Sequence, residues 1–288
     1  MSSTTNARHC KAAALALALC LAAAPCHAGT QSRESTNMNA ARTASETLSL
    51  RQQSIIPIAA LAAAGDIVRL NTALEQGLDA GLAINDAKEI LVQVYAYAGF
   101  PRSLNALGEL MKVMDARKQR GVQDKQGQLP SRPIPKGDAL LAAGTANQTK
   151  LANGPVKGAL FDFAPAIDEY LKTHLFGDMF ERDNLDWPSR ELATVGMLSV
   201  LPGAESQLQS HMRISMNVGI TAPQLDQLTQ VLADRVDAGA AHRAREALAR
   251  QRARAPGATQ AGVTAAAPQP ADGSCGRSSS EESCRHEK

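Results

Sequence analysis

Four stretches of helical pattern, punctuated by glycine turns, occur twice in this chain of 288 residues, and that repetition constrains the fold more than any other feature. In the first array Ser54–Ala64 ends at Gly65, and Asp66 caps a run to Leu78 that stops near Gly81. Asn85 or Asp86 caps Ala87–Ala98 before Gly99. Pro101 then opens a fourth helix with Leu104, Leu107, Leu110, Met111 and Met114 at helical spacing. In the second array Ser189–Leu201 ends at Pro202-Gly203, and Ala204–Asn217 ends at Gly219. Thr221 with Gln224 forms a capping box for Ala222–Val236, and Gly239 precedes a last helix to about Arg252. Sliding the chain by 138 residues lays Gly65 on Gly203, Leu70 on Leu208 and Gly81-Leu82 on Gly219-Ile220; a slip of two more lays Ala98-Gly99 on Ala238-Gly239. Two related helical units predict a pseudo-two-fold arrangement in which each buries the other's apolar face.

Composition agrees with an all-α fold. Hydrophobic residues make up 44% of the chain, mostly Ala, Leu, Val and Ile, and Ala and Leu favour helix. The nine aromatics all fall between Tyr95 and Trp187, which places the core of the junction and a pocket wall there. A β-sandwich or barrel would use more aromatic and β-branched residues. Nucleic acid is excluded as a partner, because no cationic groove lined with aromatics is supplied and the formal charge is only +2.

Both ends differ from this body. Arg8 and Lys11 precede the apolar run Ala12–Ala24; Pro25 breaks it, and Cys26-His27-Ala28 offers the small residues of a cleavage site. Residues 1–28 are therefore expected to be a signal peptide, leaving a periplasmic or secreted protein with no membrane association. Thirteen apolar residues are too few to span a bilayer. The mature chain divides into a polar, disordered N-terminus (29–47), a first repeat (48–120), a linker (121–160), a second repeat (161–254) and a disordered tail (255–288). Helical pattern also appears at 138–146 and 164–180. Cys10, Cys20 and Cys26 leave with the signal, and Cys275 and Cys284 lie in the tail, so the folded body has no thiol nucleophile or zinc–thiolate site.

Candidate chemistry centres on His211. It sits mid-helix, nine residues after Pro202, and Glu191 sits eleven before it. If the two helices fold back as a hairpin, their heights differ by only ~3 Å. Such a pair serves either as an acid–base couple, with Glu191 setting the tautomer of His211, or as a structural hydrogen bond. Arg190 and Arg213 flank it and are candidates to bind an anionic substrate. The first array offers only Gln52 and Gln53 near the Glu position and Thr72-Ala73 near the His position. No phosphate-binding, dinucleotide, zinc-protease or serine-hydrolase motif is present. His174 with Asp178 has helical i,i+4 spacing, and an exposed polar pair is the commoner role for it than a metal site.

The stretch Leu175-Phe176-Gly177-Asp178-Met179-Phe180-Glu181-Arg182-Asp183-Asn184-Leu185, followed by Ser189-Arg190-Glu191-Leu192-Ala193-Thr194 and Leu201-Pro202-Gly203-Ala204-Glu205 through His211, resembles the carboxymuconolactone decarboxylase family. Lys88 through Pro101 resembles it in the first array. The resemblance implies a duplicated helical bundle of the alkylhydroperoxidase-D-like type, assembled as a trimer or hexamer and using neither metal nor organic cofactor. It implies His211 and Glu191 as catalytic residues of a carboxy-lyase acting on a small carboxylate or lactone. The alternative is a non-catalytic oligomeric protein that binds a small acid. In the thiol peroxidase branch of that superfamily two cysteines precede the histidine; here those positions hold Ala204 and Gln207, so an antioxidant role lacks its residues.

Overall fold

The computed structural model describes residues 46–254. The segment expected to be a signal peptide (1–28), most of the polar stretch 29–47, residues 255–288 and all five cysteines lie outside the described residues. Among the described residues there are eleven α-helices, one π-helical segment and no strand: the fold is all-α. None of these helices is long and apolar enough to cross a membrane.

The first repeat is α1 (Leu50–Ala64), α2 (Ile67–Asp79), α3 (Ile84–Ala98) and α4 (Phe100–Gln119). The connector carries α5 (Asp138–Ala152), α6 (Ala159–Phe163) and α7 (Pro165–Tyr170), which runs into the π-helical segment Leu171–Met179. The second repeat is α8 (Trp187–Ser199), α9 (Glu205–Asn217), α10 (Ala222–Arg235) and α11 (Ala238–Ala253). Ile67, Ile84 and Phe100 begin helices 138 residues before Glu205, Ala222 and Ala238 do, so the expected two-residue slip at Ala98-Gly99 is not needed.

Local chemistry sets the boundaries. α1 starts four residues before the expected Ser54, because Ser49 and Gln52 close a capping box around its first turn. α3 starts at Ile84 rather than after Asn85 or Asp86, and Ala83 at its N-cap has no side-chain acceptor. The connector replaces one: the Ile84 and Asn85 N–H groups donate to the carbonyls of Lys125 and Gln126, both at 2.9 Å. Asp86 lies one turn inside instead, where its carboxylate pairs with Arg51 at 2.8 Å.

The main core is aliphatic and shared between the repeats. α1 and α8 pack along its centre, with Ile55, Ile56, Ile58, Leu192 and Val195 fully buried. α1 also packs on α10 and α8 on α3, the reciprocal exchange that a pseudo-two-fold requires. Gly196 permits the closeness, since a Cβ there would lie 2.8 Å from the Ile56 carbonyl oxygen. The aromatics do not build this core, contrary to the expectation from their clustering. Phe176 and Phe180, with Leu151, Leu175, Met179 and Ile214, form a separate satellite cluster against which Tyr95, Tyr97 and Trp187 pack. Its frame is α5 laid on the π-helical segment, so the expected linker contains a helix that packs, six residues longer than the pattern at 138–146. On α4, Leu110 is buried while Phe100, Leu104 and Met111 stay exposed, outside the packing of α4 on α2 and α3.

Candidate active site

The site grows from the α8–α9 hairpin. Asp186 caps α8 by accepting the Ser189 N–H at 2.7 Å, which fixes the helix phase and turns Glu191 and Thr194 inward. Pro202-Gly203 reverses the chain, and α9 returns with His211 facing α8. Glu191 is 0% exposed and His211 7%, and Glu191 Oε2 lies 2.8 Å from His211 Nδ1. A carboxylate that accepts from Nδ1–H fixes the tautomer and leaves Nε2 as the nitrogen able to exchange a proton. His211 lines a cavity of about 400 Å³ whose walls include Tyr97, Phe161, Phe176 and Ile214, with exposed Arg213 also on its lining. Part of the aromatic zone thus forms the pocket wall.

A family model for the carboxymuconolactone decarboxylase family matches residues 33–111 and 165–250. The chain belongs to the carboxymuconolactone decarboxylase family. The two matched segments fall one on each repeat, so the internal duplication is a tandem pair of family units. A search of curated proteins returned no match.

Within this family member the two halves contribute unequally to the cavity. The first repeat lends α3. Tyr97 stands edge-on to the His211 ring, with centroids 5.7 Å apart, and its hydroxyl accepts from the Thr194 hydroxyl at 3.4 Å. Burial, then the nearby Glu191 charge, pushes the Tyr97 phenol above its ordinary range, so it stays a neutral group. Gln93 Nε2 donates to Thr194 Oγ1 at 2.8 Å and to the Arg190 carbonyl at 3.1 Å, holding the start of α8 against α3. Neither Tyr97 nor Gln93 was a sequence candidate. Their signal was spacing: both lie on the face of α3 that carries Glu89.

Arg190 does not reach the cavity. Its side chain is fully buried and is not on the cavity lining. Its guanidinium donates to Glu89 Oε2 at 3.1 Å, the Arg182 carbonyl at 2.9 Å and Gln93 Oε1 at 3.3 Å. Adjacent residues on a helix face about 100° apart, so Arg190 and Glu191 do not converge on one ligand. Of the two arginines expected at the substrate, only Arg213 lines the cavity. Arg190 instead ties the repeats together, and burial holds its guanidinium below the usual arginine value, opposed by the Glu89 charge. Arg182 completes the cluster, with Nε 2.8 Å from Glu89 Oε2 and Nη2 2.5 Å from Oε1.

Ala204 and Gln207, at the positions where the thiol branch would carry cysteines, both line the cavity, so no sulfur is present at the place that chemistry requires. His174 lies outside this cavity as an exposed residue paired with Asp178 at 3.2 Å. No cluster of three metal-ligating side chains occurs among the described residues.

Proposed function

We propose that this protein is a cofactor-free decarboxylase-type proton-transfer enzyme for a small lactone or keto acid, with His211 as the acid–base group. The carrying observation is the buried His211–Glu191 couple opening onto an apolar-walled cavity that has one cation, Arg213, on its lining. In such a site the bond between the carboxylate carbon and its neighbour breaks and carbon dioxide leaves. The electron pair delocalises into the conjugated carbonyl, and the imidazolium returns a proton to carbon. Glu191 balances the imidazolium charge, and Arg213 holds the anionic end of the substrate or the developing oxyanion. Apolar walls strengthen both effects by excluding water.

The proposal includes export and assembly. Export has its support in the charged, apolar and small-residue order of residues 1–28. Assembly as a trimer or hexamer has support in the exposed row Phe100, Leu104 and Met111 along α4.

The test is turnover of γ-carboxymuconolactone and related keto acids by the purified chain beside His211→Ala and Glu191→Gln. A fall in kcat of roughly 10²–10⁴ in His211→Ala is expected. Equal turnover in the variant refutes the assignment. Saturable binding of these acids without turnover by the wild type shows a binding protein instead.

A further inference from the structure

The cavity at His211 has a counterpart. Arg69, Thr72, Ala73 and Gln76 of α2 line a second cleft of about 270 Å³, together with Asp234 and Arg235 at the end of α10. Each stands 138 residues from a residue lining the His211 cavity. Arg69 corresponds to Gln207, Thr72 to Ser210, Ala73 to His211 and Gln76 to Ile214. From the opposite repeat, Asp234 answers Ala96 and Arg235 answers Tyr97. The pseudo-two-fold has thus placed a concavity at the corresponding position of each repeat, the first repeat's being the smaller and having no connector residues such as Phe161 and Phe176 on its lining.

The two linings differ in charge and in acid–base groups. The first-repeat cleft has no acid–base pair, because Ala73 stands at the His211 position and Gln53, at the Glu191 position, donates to the Leu48 carbonyl. Where the other cavity has the neutral Tyr97, it has the Arg235 guanidinium. Arg235 Nη2 donates to Gln76 Oε1 at 2.5 Å, and among the described residues no carboxylate lies within ion-pair distance of Arg235. Partial burial of Arg235 makes an unpaired guanidinium costly there, and an anion would relieve that cost. Arg69 is already neutralised by Asp66 at 2.7 Å and braced on the Val236 carbonyl. Asp234 accepts from Gln230 at 2.7 Å and sets a limit on how much negative charge the cleft tolerates. Pro57, Leu61 and Ala73 add an apolar floor, and the Thr72 hydroxyl adds a donor.

We infer that this cleft is a second, non-catalytic binding site for a small monocarboxylate with an apolar body, its carboxylate seated on Arg235 and Thr72. One planar carboxylate matches one guanidinium, whereas a phosphate dianion meets Asp234. The inference does not depend on catalysis at His211.

The test titrates the full chain with para-fluorobenzoate, followed by fluorine NMR, using Arg213→Met to remove the cation of the other cavity. Binding that persists in Arg213→Met, weakens about tenfold or more in Arg213→Met/Arg235→Met and partly returns with Arg235→Lys supports the site. Thr72→Phe, at an exposed position, should block it without disturbing folding. Undiminished binding in the Arg235→Met background overturns the inference, as does loss of all binding in Arg213→Met alone. Equal binding of neutral para-fluorobenzamide, or full displacement by equimolar inorganic phosphate, overturns the carboxylate assignment.

Discussion

Replacing Gly144 by alanine should loosen one wall of the candidate active site while sparing the rest of the fold. A Cβ at Gly144 would lie 1.7 Å from the Lys172 carbonyl oxygen, 2.7 Å from its carbon and 2.9 Å from the Gly177 nitrogen, whereas real Cβ contacts essentially never fall below 3.0 Å. All three obstacles are backbone, so no side chain can swing aside. α5 and the π-helical segment must separate by more than about 1 Å, a gap that forfeits a quarter to a half of each dispersion well across it. Leu151, Leu175, Phe176 and Met179 span that contact. The cost falls at the top of the overpacking range, about 3 kcal/mol. Because this cluster is separate from the aliphatic core, the loss should appear as local opening. Hydrogen-exchange mass spectrometry should show amides in 138–152 and 171–179 exchanging about a hundredfold faster, with α1 and α8 unchanged. Unaltered exchange in those segments, or equal acceleration in α1 and α8, would refute the reasoning. Gly196→Ala is the contrasting control: its obstacle is Ile56 on α1, so it should lower the global Tm.

Two further outcomes follow from the charged cluster between the repeats. Burial alone would raise the Glu89 carboxyl, but Arg182 and Arg190 outweigh it and hold the group below its ordinary 4.5. Its stabilisation is therefore complete above about pH 4.5 and lost as pH falls through the lower folded value. Glu89→Gln should flatten that acid slope in urea titrations. It should also cost about 3 kcal/mol at neutral pH, since Arg190 is left buried without a carboxylate. Arg190→Met and Arg213→Met should separate cleanly. The first lowers Tm by several degrees, roughly 2–4 °C per kcal/mol lost. The second leaves Tm within about 1 °C, because Arg213 is exposed, and raises KM for a carboxylate substrate. Thermal melts beside steady-state kinetics would show a failure of either.

The helices and their duplication were legible because glycine turns and apolar spacing act locally. The start of α3 was not: its cap is supplied by carbonyls some forty residues away, while Asp86 offered a more conventional capping signal. The π-helical segment was also invisible, since one extra residue per turn leaves the apolar pattern at 164–180 looking like ordinary helix. At the site, the height argument applied to His211 and Glu191 because a hairpin fixes axial position. Axial height says nothing of helix phase, and phase is what sends Arg190 to Glu89. Tyr97 and Arg235 come from the opposite repeat, so the spacing around His211 and Ala73 does not point to them, and only the i,i+4 register with Glu89 and Gln93 marks Tyr97.

The α1–α8 contact also bears on how the molecule could diverge. In a dimer of identical subunits, every substitution at the interface appears twice and its cost doubles. Here the two surfaces lie on one chain, at an effective concentration set by the connector rather than by the amount of protein present. Dilution cannot separate them, and a change in one half is not copied into the other. The chain can keep the histidine in one half and place an arginine in the other while holding the shared core almost unchanged.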